Sequence, residues 1–369
     1  MSLNLSEAFK PHPVYLHDDD HINFDSVQEV PDSHAWPQVV DYLSDLSDVD
    51  SVPIIDLMDP NAATLVGNAC ETWGVFQVIN HGIPIHLLED LESVGRRLFQ
   101  LPAQQKLKVA RGPDGMSGYG RARISCFFPK LLWSEGFTIF GSPIEQARQL
   151  WPQEYTTFCD VTEEYQKEMK RLSTRLMWIM LGSLGITEDD LSWAGPKNKY
   201  EGPCAALQLN SYPPCPDPKI VMGLAAHTDS TLLTVLYQTN TSGLQVFRDG
   251  GRWVTVPPKR GALVINVGDL LQILSNGRFP SVLHRAVVHQ SRHRLSFAYL
   301  CGPPSNIQIS PLPKLIDQKH PPLYHPVTWN EYLGIKYKHL NQALSVIRLF
   351  KPQDGSVDMN DMKRMKVGC

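Results

Sequence analysis

The chain has 369 residues, 42% of them apolar and 20% charged, the composition of an ordinary globular protein long enough for two packed layers. With 34 Lys and Arg against 38 Asp and Glu, its net charge of −4 gives no electrostatic case for nucleic acid or an anionic membrane as partner. No secretory signal opens the chain, no apolar stretch is long enough for a bilayer, and the 7 cysteines lack a CxxC pair, so a cytoplasmic protein with reduced thiols is expected.

Residues 1–50 are polar and acidic with no sustained period, and read as a loosely structured arm; the cluster Asp18-Asp19-Asp20-His21 reads as a solvated turn. Regular structure is expected from residue 51 to 160. Val52–Leu57 is a short strand, Ala62–Thr72 has helical spacing, and Gly74–Asn80 is a second strand ending at the turn His81-Gly82. A further helix runs from about Pro84 to Phe99, and glycine-rich Gly112–Gly120 reads as a loop without a phosphate-binding pattern. A supporting helical segment covers 161–201, opened at Asp160-Val161-Thr162-Glu163, where a capping carboxylate precedes an acid three residues on. Residues 202–303 then change character. Seven short strands are expected at Ala205–Asn210, Leu232–Tyr237, Gly243–Phe247, Trp253–Val256, Leu263–Val267, Val282–Val288 and Leu295–Leu300. Their spacing and turns argue for a sandwich or jelly-roll barrel. A C-terminal helical segment and a polar tail from Pro352 fill 304–369.

The chemistry-bearing residues lie in that strand-rich region. His227 and Asp229 are two apart, so on an extended strand they share a face while Thr228 points away. With His284 they make two imidazoles and one carboxylate, a facial set that leaves open positions on a metal and suits non-haem Fe(II) better than a closed zinc site. A lone His-x-Asp is common by chance; its weight comes from Arg294-Leu295-Ser296 further on. Arg294 and Ser296 face one way and offer a cationic fork and a hydroxyl to a dicarboxylate, although a structural Arg–Asp pair would use Arg294 as well. Asn210 and Tyr212 share a face before a proline turn, Cys215 reads as a small packed residue, and Arg292 and His293 read as solvent-facing.

The segments Trp73–Gly82, Asn-x-Tyr-Pro-x-Cys-Pro, His-x-Asp, Gly261–Asp269, His284-Arg285 and Arg-x-Ser together resemble the plant 2-oxoglutarate- and Fe(II)-dependent dioxygenases. Within that family Ser117–Gly120, Ala122–Ile124, Phe127–Lys130, Trp133–Thr138, Leu224–Thr231, Ile273–Gly277 and Pro326–Leu333 are most similar to gibberellin 3β-dioxygenases. The resemblance implies an α+β fold, a double-stranded β-helix core flanked by helices. It implies Fe(II) on His227, Asp229 and His284, the distal carboxylate of 2-oxoglutarate on Arg294 and Ser296 with help from Tyr212, and Asn210 at the cosubstrate end nearer the metal. The implied reaction consumes O2 with ascorbate in support and 3β-hydroxylates gibberellin precursors, GA9 to GA4 and GA20 to GA1. A gibberellin 2-oxidase, a flavonoid dioxygenase or a non-catalytic hormone-binding jelly roll are the alternatives. For an apolar tetracyclic acid, Ile124, Phe127, Phe128, Trp133 and Phe137 are candidates for the pocket wall, and Arg123 or Lys130 for the anchor. A monomer is expected.

Overall fold

The computed structural model describes residues 5–8, 10–11, 13–14, 22, 24, 26–37, 51–191, 193–194, 204–248 and 250–349. The cluster Asp18–His21 and the tail from Pro352 lie outside them.

In chain order, β1 (Ile54–Asp56), α1 (Ala62–Thr72), β2 (Val75–Ile79), α2 (Ile85–Phe99) and the short α3 (Ala103–Leu107) come first. They are followed by β3 (Gly118–Gly120), β4 (Glu135–Phe140), α4 (Ile144–Leu150) and the long α5 (Tyr155–Ser183). The strand-rich half holds β5 (Ala205–Tyr212), β6 (Leu224–His227), β7 (Leu233–Gln238), β8 (Leu244–Arg248), β9 (Arg252–Thr255), β10 (Leu263–Val267), α6 (Asp269–Leu274), β11 (His284–Ala286) and β12 (Arg294–Cys301). A ribbon of β13 (Gln308–Ile309) and β14 (Val327–Thr328), α7 (Trp329–His339) and α8 (Ala343–Val346) close the described chain.

The large sheet runs β1-β2-β10-β7-β12-β5-β4-β3, and a smaller one runs β6-β11-β8-β9. Val75, Leu236 and Val264 of the large sheet meet Leu244 and Val246 of the small one, with Val282 just before β11, so the two sheets face each other across a shared core. This is the jelly-roll core flanked by helices. Along β12, Leu295, Phe297, Tyr299 and Cys301 bury in the core shared with α2 and α5, while Arg294, Ser296, Ala298 and Leu300 face the space between the sheets. One strand therefore carries both the helix-facing core and the polar site. Helix α2 approaches β12 closely at Gly95, where a Cβ would come within 2.7 Å of the Phe297 ring.

Three local expectations need correction. The long helix starts at Tyr155, not Asp160, because Phe158 and Cys159 are buried and Phe158 packs 5.1 Å from Trp151 and 6.1 Å from Phe137. Tertiary packing extends the helix upstream, and Asp160 is an exposed surface residue. Gly118–Gly120 is an edge strand paired with β4, not a loop: buried Tyr119 donates its hydroxyl to Glu135 Oε1 at 2.7 Å. His293 is half-buried, its Nε2 2.9 Å from Ser211 Oγ, while Arg292 is exposed.

The described pieces of the N-terminal arm are packed rather than loose. Leu5 lies against α7 and is buried, and Ile22, Phe24, Val27 and Val30 surround Trp133. Trp36 donates to Leu131 O at 2.9 Å. Described residues 22–37 form no helix or strand, so no period betrays them. His34 is buried beside Trp133, and burial lowers its imidazole from 6.5 to about 4. Its folded value lies below its unfolded one, so its contribution is present above pH 6.5 and is lost as pH falls through about 4. Hydrogen exchange, corrected for intrinsic rates, should therefore show residues 27–36 opening more often by up to about tenfold per pH unit in that window. Protection independent of pH there would remove His34 as the cause.

Candidate active site

His227 ends β6 and His284 begins β11, and the two are cross-strand partners. Their rings stand 4.3 Å apart between centroids. Each Nε2 lies 3.7 Å from Asp229 Oδ1, and the three ligand atoms fall within 4.8 Å of one another. Three donor atoms this close together, two imidazole nitrogens and a carboxylate oxygen, are a set that could hold one divalent metal ion. His227 Nδ1 lies 2.9 Å from Ala225 O and His284 Nδ1 3.1 Å from Val282 O. Carbonyls there call for the Nδ1–H tautomer and leave both Nε2 lone pairs aimed at the shared centre.

Asp229 lies beyond the end of β6, so strand alternation does not place it. Its carbonyl accepts from Asp269 N at 2.7 Å, which fixes the turn. Thr228 does not point away: it lines the cavity and donates to Asp269 Oδ2 at 3.1 Å. Burial, then the neighbouring His284, lower His227 to about 3, keeping it a neutral ligand. For Asp229, burial favours the protonated form, but the neighbouring His284 and His227, a hydrogen bond from Thr234 and the Lys336 ammonium together hold the carboxyl below its ordinary value. Asp229 Oδ2 is buried without a hydrogen-bond partner. Two imidazole nitrogens aimed at one centre, an ionised carboxylate and an orphaned oxygen suit a divalent cation.

Behind this trio stands a buried ion pair. Lys336 Nζ of α7 donates to Asp269 Oδ2 at 2.5 Å and also to Thr228 Oγ1, and Tyr332 donates to the same Asp269 oxygen at 2.7 Å. Lys336→Met would leave Asp269 buried with hydroxyl donors alone, and an expected loss of about 3–5 kcal/mol should appear in urea unfolding. A loss under about 1 kcal/mol would mean that the pair does not brace α7 on the metal turn.

On β12, Arg294 is 2% exposed. Nη2 donates to Gln238 Oε1 at 3.0 Å, whereas Nε and Nη1 are buried without partners. Among the described residues no carboxylate pairs with it, so the structural Arg–Asp pair is absent there. Burial pushes its guanidinium below its ordinary value, as for a cation awaiting an anion. The Tyr212 ring stands 5.0 Å away, and Asn210 Nδ2 donates to Ser296 Oγ at 3.4 Å. In the β12–β5 register Arg294 faces Tyr212 and Ser296 faces Asn210. Gly243 makes the room: a Cβ there would lie 2.8 Å from Arg294 Cδ. Gly243→Ala should raise the requirement for a dicarboxylate cosubstrate at least severalfold in a KM measurement, and an unchanged KM would show that the guanidinium can shift freely.

The trio, Arg294, Ser296, Tyr212 and Asn210 all line one cavity of ≈ 280 Å³ between the sheets. An N-terminal family model, described as that of the non-haem dioxygenase in morphine synthesis, matches residues 52–154, and the model of the 2OG-Fe(II) oxygenase superfamily matches 203–303. Gibberellin 3-beta-dioxygenase 1 of Pisum sativum is 57% identical over 99% of this chain and 99% of its own length. The chain belongs to the 2OG-Fe(II) oxygenase superfamily. Gibberellin 3-beta-dioxygenase 2 of Arabidopsis thaliana is 55% identical over 94% of this chain and 100% of that relative. Among solved structures, JOX2 in complex with 2OG, Fe and JA superposes with a TM-score of 0.71 at 31% identity, covering 87% of this chain and 93% of that one. The dioxygenase for auxin oxidation of rice superposes with a TM-score of 0.67 at 26% identity, covering 81% and 100%. As a member of the superfamily the chain is a dioxygenase that uses Fe(II), 2-oxoglutarate and O2.

The expected substrate residues divide. Arg123, Ile124 and Phe127 line the oxygenase cavity. Phe128 instead packs 5.3 Å from Trp36, and Lys130 donates to Asp32 O at 2.6 Å. Trp133 is fully buried behind Tyr212 with Cys215, and Phe137 is buried against Phe158. These four do not line the cavity. Residues 123–127 form a 3-10 turn with only one side toward the site, and on β4 it is Thr138 and Phe140 that face inward, which sends Phe137 to the helices. Arg111, Thr138, Gln208, Lys336 and Tyr337 also line the cavity and were not anticipated. Gln208 was within reach of the argument, two residues before Asn210 on the same strand face. Arg111 and Tyr337 carry no local signal.

Proposed function

We propose that this chain is a gibberellin 3β-dioxygenase that converts GA9 to GA4 and GA20 to GA1. The observation that carries the reading is 57% identity, over nearly all of both chains, to a protein named gibberellin 3-beta-dioxygenase 1. The cavity supports it: apolar Met116, Ile124, Phe127, Leu244 and Leu333 line it together with cationic groups, as a tetracyclic acid would require.

In this reading His227, Asp229 and His284 hold Fe(II) and leave its other positions open. Arg294 and Ser296, with the Tyr212 hydroxyl, take the distal carboxylate of 2-oxoglutarate. Asn210 steadies the end nearer the metal. Bound Fe(II) supplies the O2 activation that couples loss of CO2 from 2-oxoglutarate to hydroxylation, leaving succinate. The protein supplies orientation and a dry cavity, whose apolar wall is completed by Leu5 of the N-terminal segment. No helix among the described residues is long and apolar enough to cross a membrane. We place the enzyme in the cytoplasm as a monomer, without nucleic acid or membrane as partner, and ascorbate supports its activity.

The test is product analysis by mass spectrometry with GA9 and GA20, alongside succinate release. GA4 and GA1 with one succinate per product are expected. Hydroxylation at C-2 would make the enzyme a gibberellin 2-oxidase, turnover of a flavonoid alone would place it elsewhere in the family, and binding without succinate would make it a hormone-binding jelly roll.

A further inference from the structure

The described cavity wall holds five cationic side chains, Arg111, Arg123, Arg285, Arg294 and Lys336, against a single carboxylate, Asp229. Lys336 is engaged by Asp269, and Arg285 by Gln245 Oε1 at 2.8 Å and the Trp253 ring at 4.1 Å. Arg294 serves the cosubstrate. Arg111 and Arg123 line the remaining cationic part of the wall.

Arg111, just before β3, donates from Nη1 to Thr138 Oγ1 at 2.9 Å and from Nη2 to Arg121 O. Arg123 donates from Nη1 to Pro113 O at 3.3 Å and from Nη2 to Gly115 O. These hydrogen bonds fix how both guanidiniums are aimed. Arg123 lies close enough to Arg111 to repel it, and the neutral Tyr337 phenol lies beside both. Two guanidiniums and a phenol that line one part of the cavity can converge on an anion.

Arg111 is also fixed relative to the reaction centre. Thr138 Oγ1 donates to Gln208 Oε1 at 2.6 Å, Gln208 Nε2 to Asn210 Oδ1 at 3.1 Å, and Asn210 Nδ2 to Ser296 Oγ at 3.4 Å. Thr138 and Gln208 are register partners across β4 and β5. Gln208 precedes Tyr212 by four residues, roughly 13 Å along an extended strand, so this cationic end is separate from the cosubstrate end.

We propose that Arg111 and Arg123, with the Tyr337 hydroxyl, form a clamp for the substrate's carboxylate and thereby set which carbon faces the metal. The proposal rests on the gibberellin reading. A single cationic anchor was expected on the 123–130 segment; the fold supplies a second guanidinium from a different segment and removes Lys130. Both cations belong to specificity, since neither touches the cosubstrate side chains Arg294 or Tyr212 by any hydrogen bond seen among the described residues.

The experiment compares GA9 with its methyl ester in the complete enzyme with Fe(II), 2-oxoglutarate and O2. Wild type is expected to prefer the acid by about 10- to 100-fold in kcat/KM, the range for a lost charge-assisted hydrogen bond. Arg123→Met and Arg111→Lys should erase most of that preference, lower anaerobic binding of radiolabelled GA9 in dialysis, spread hydroxylation to neighbouring carbons, and leave the KM for 2-oxoglutarate within about twofold. Should Arg111→Lys not fold, Arg123→Met and the wild-type acid-to-ester ratio still decide. Equal use of acid and ester by wild type, or variants that keep the preference, would overturn the clamp while the gibberellin reading stands. A wild type inactive on GA9 and GA20 would sink that reading, and the clamp with it.

Discussion

Replacing Asp229 by alanine is expected to abolish iron-dependent turnover while the chain stays folded. The carboxylate supplies one of three ligand atoms and the only negative charge of the trio, with Oδ1 equidistant, at 3.7 Å, from both imidazole nitrogens. Even a residue that merely orients a ligand is worth about 10–100-fold in metal affinity or activity, so loss of a ligand should exceed that. The metal-free protein should stay folded, because removing Asp229 also removes a buried oxygen without a hydrogen-bond partner. Succinate release, an iron-binding titration and a thermal melt check the three parts. Normal turnover by the alanine variant would remove Asp229 from the metal site.

Arg294→Lys is expected to raise the KM for 2-oxoglutarate by about 30–150-fold, equivalent to about 2–3 kcal/mol for a charged hydrogen bond. Lysine keeps the charge but loses the fork, and Nε and Nη1 are the two donors buried without partners. Gln238, which occupies Nη2, should hold the variant's side chain in place and preserve the fold. The KM for the hydroxylated substrate should move far less. An unchanged cosubstrate KM would show that the dicarboxylate binds elsewhere in the cavity.

The parts of the site legible in the sequence are those governed by short-range geometry. Arg294 and Ser296 alternate with Leu295 and Phe297 on β12, and the structure sends the first pair to the cavity and the second to the core. Asn210 and Tyr212 follow the same rule on β5. The rule misplaced Thr228 and gave the wrong reason for Asp229, because β6 ends at His227 and the next residues turn against α6. It also had no purchase on Phe137 and Trp133: an aromatic near the site in sequence reads the same whether its strand face points in or out. On β4 that choice was made by pairing with β5, which turns Thr138 inward.

Composition, the alternating strands and the residue types at 227, 229, 284, 294 and 296 by themselves pointed to a sandwich or jelly roll, an open metal site and a dicarboxylate, and the family resemblance named 2-oxoglutarate. The first three depend on side-chain chemistry or on a two-residue period, both of which are local. Only the tertiary structure decided which groups meet across the cavity. It brought Lys336 from the C-terminal helix onto Asp269, placed Leu5 in the cavity wall, and set Arg111 beside Arg123. These contacts join segments far apart in the chain, and their energies come from burial and from charge in a dry site, quantities that exist only once the sheets have closed.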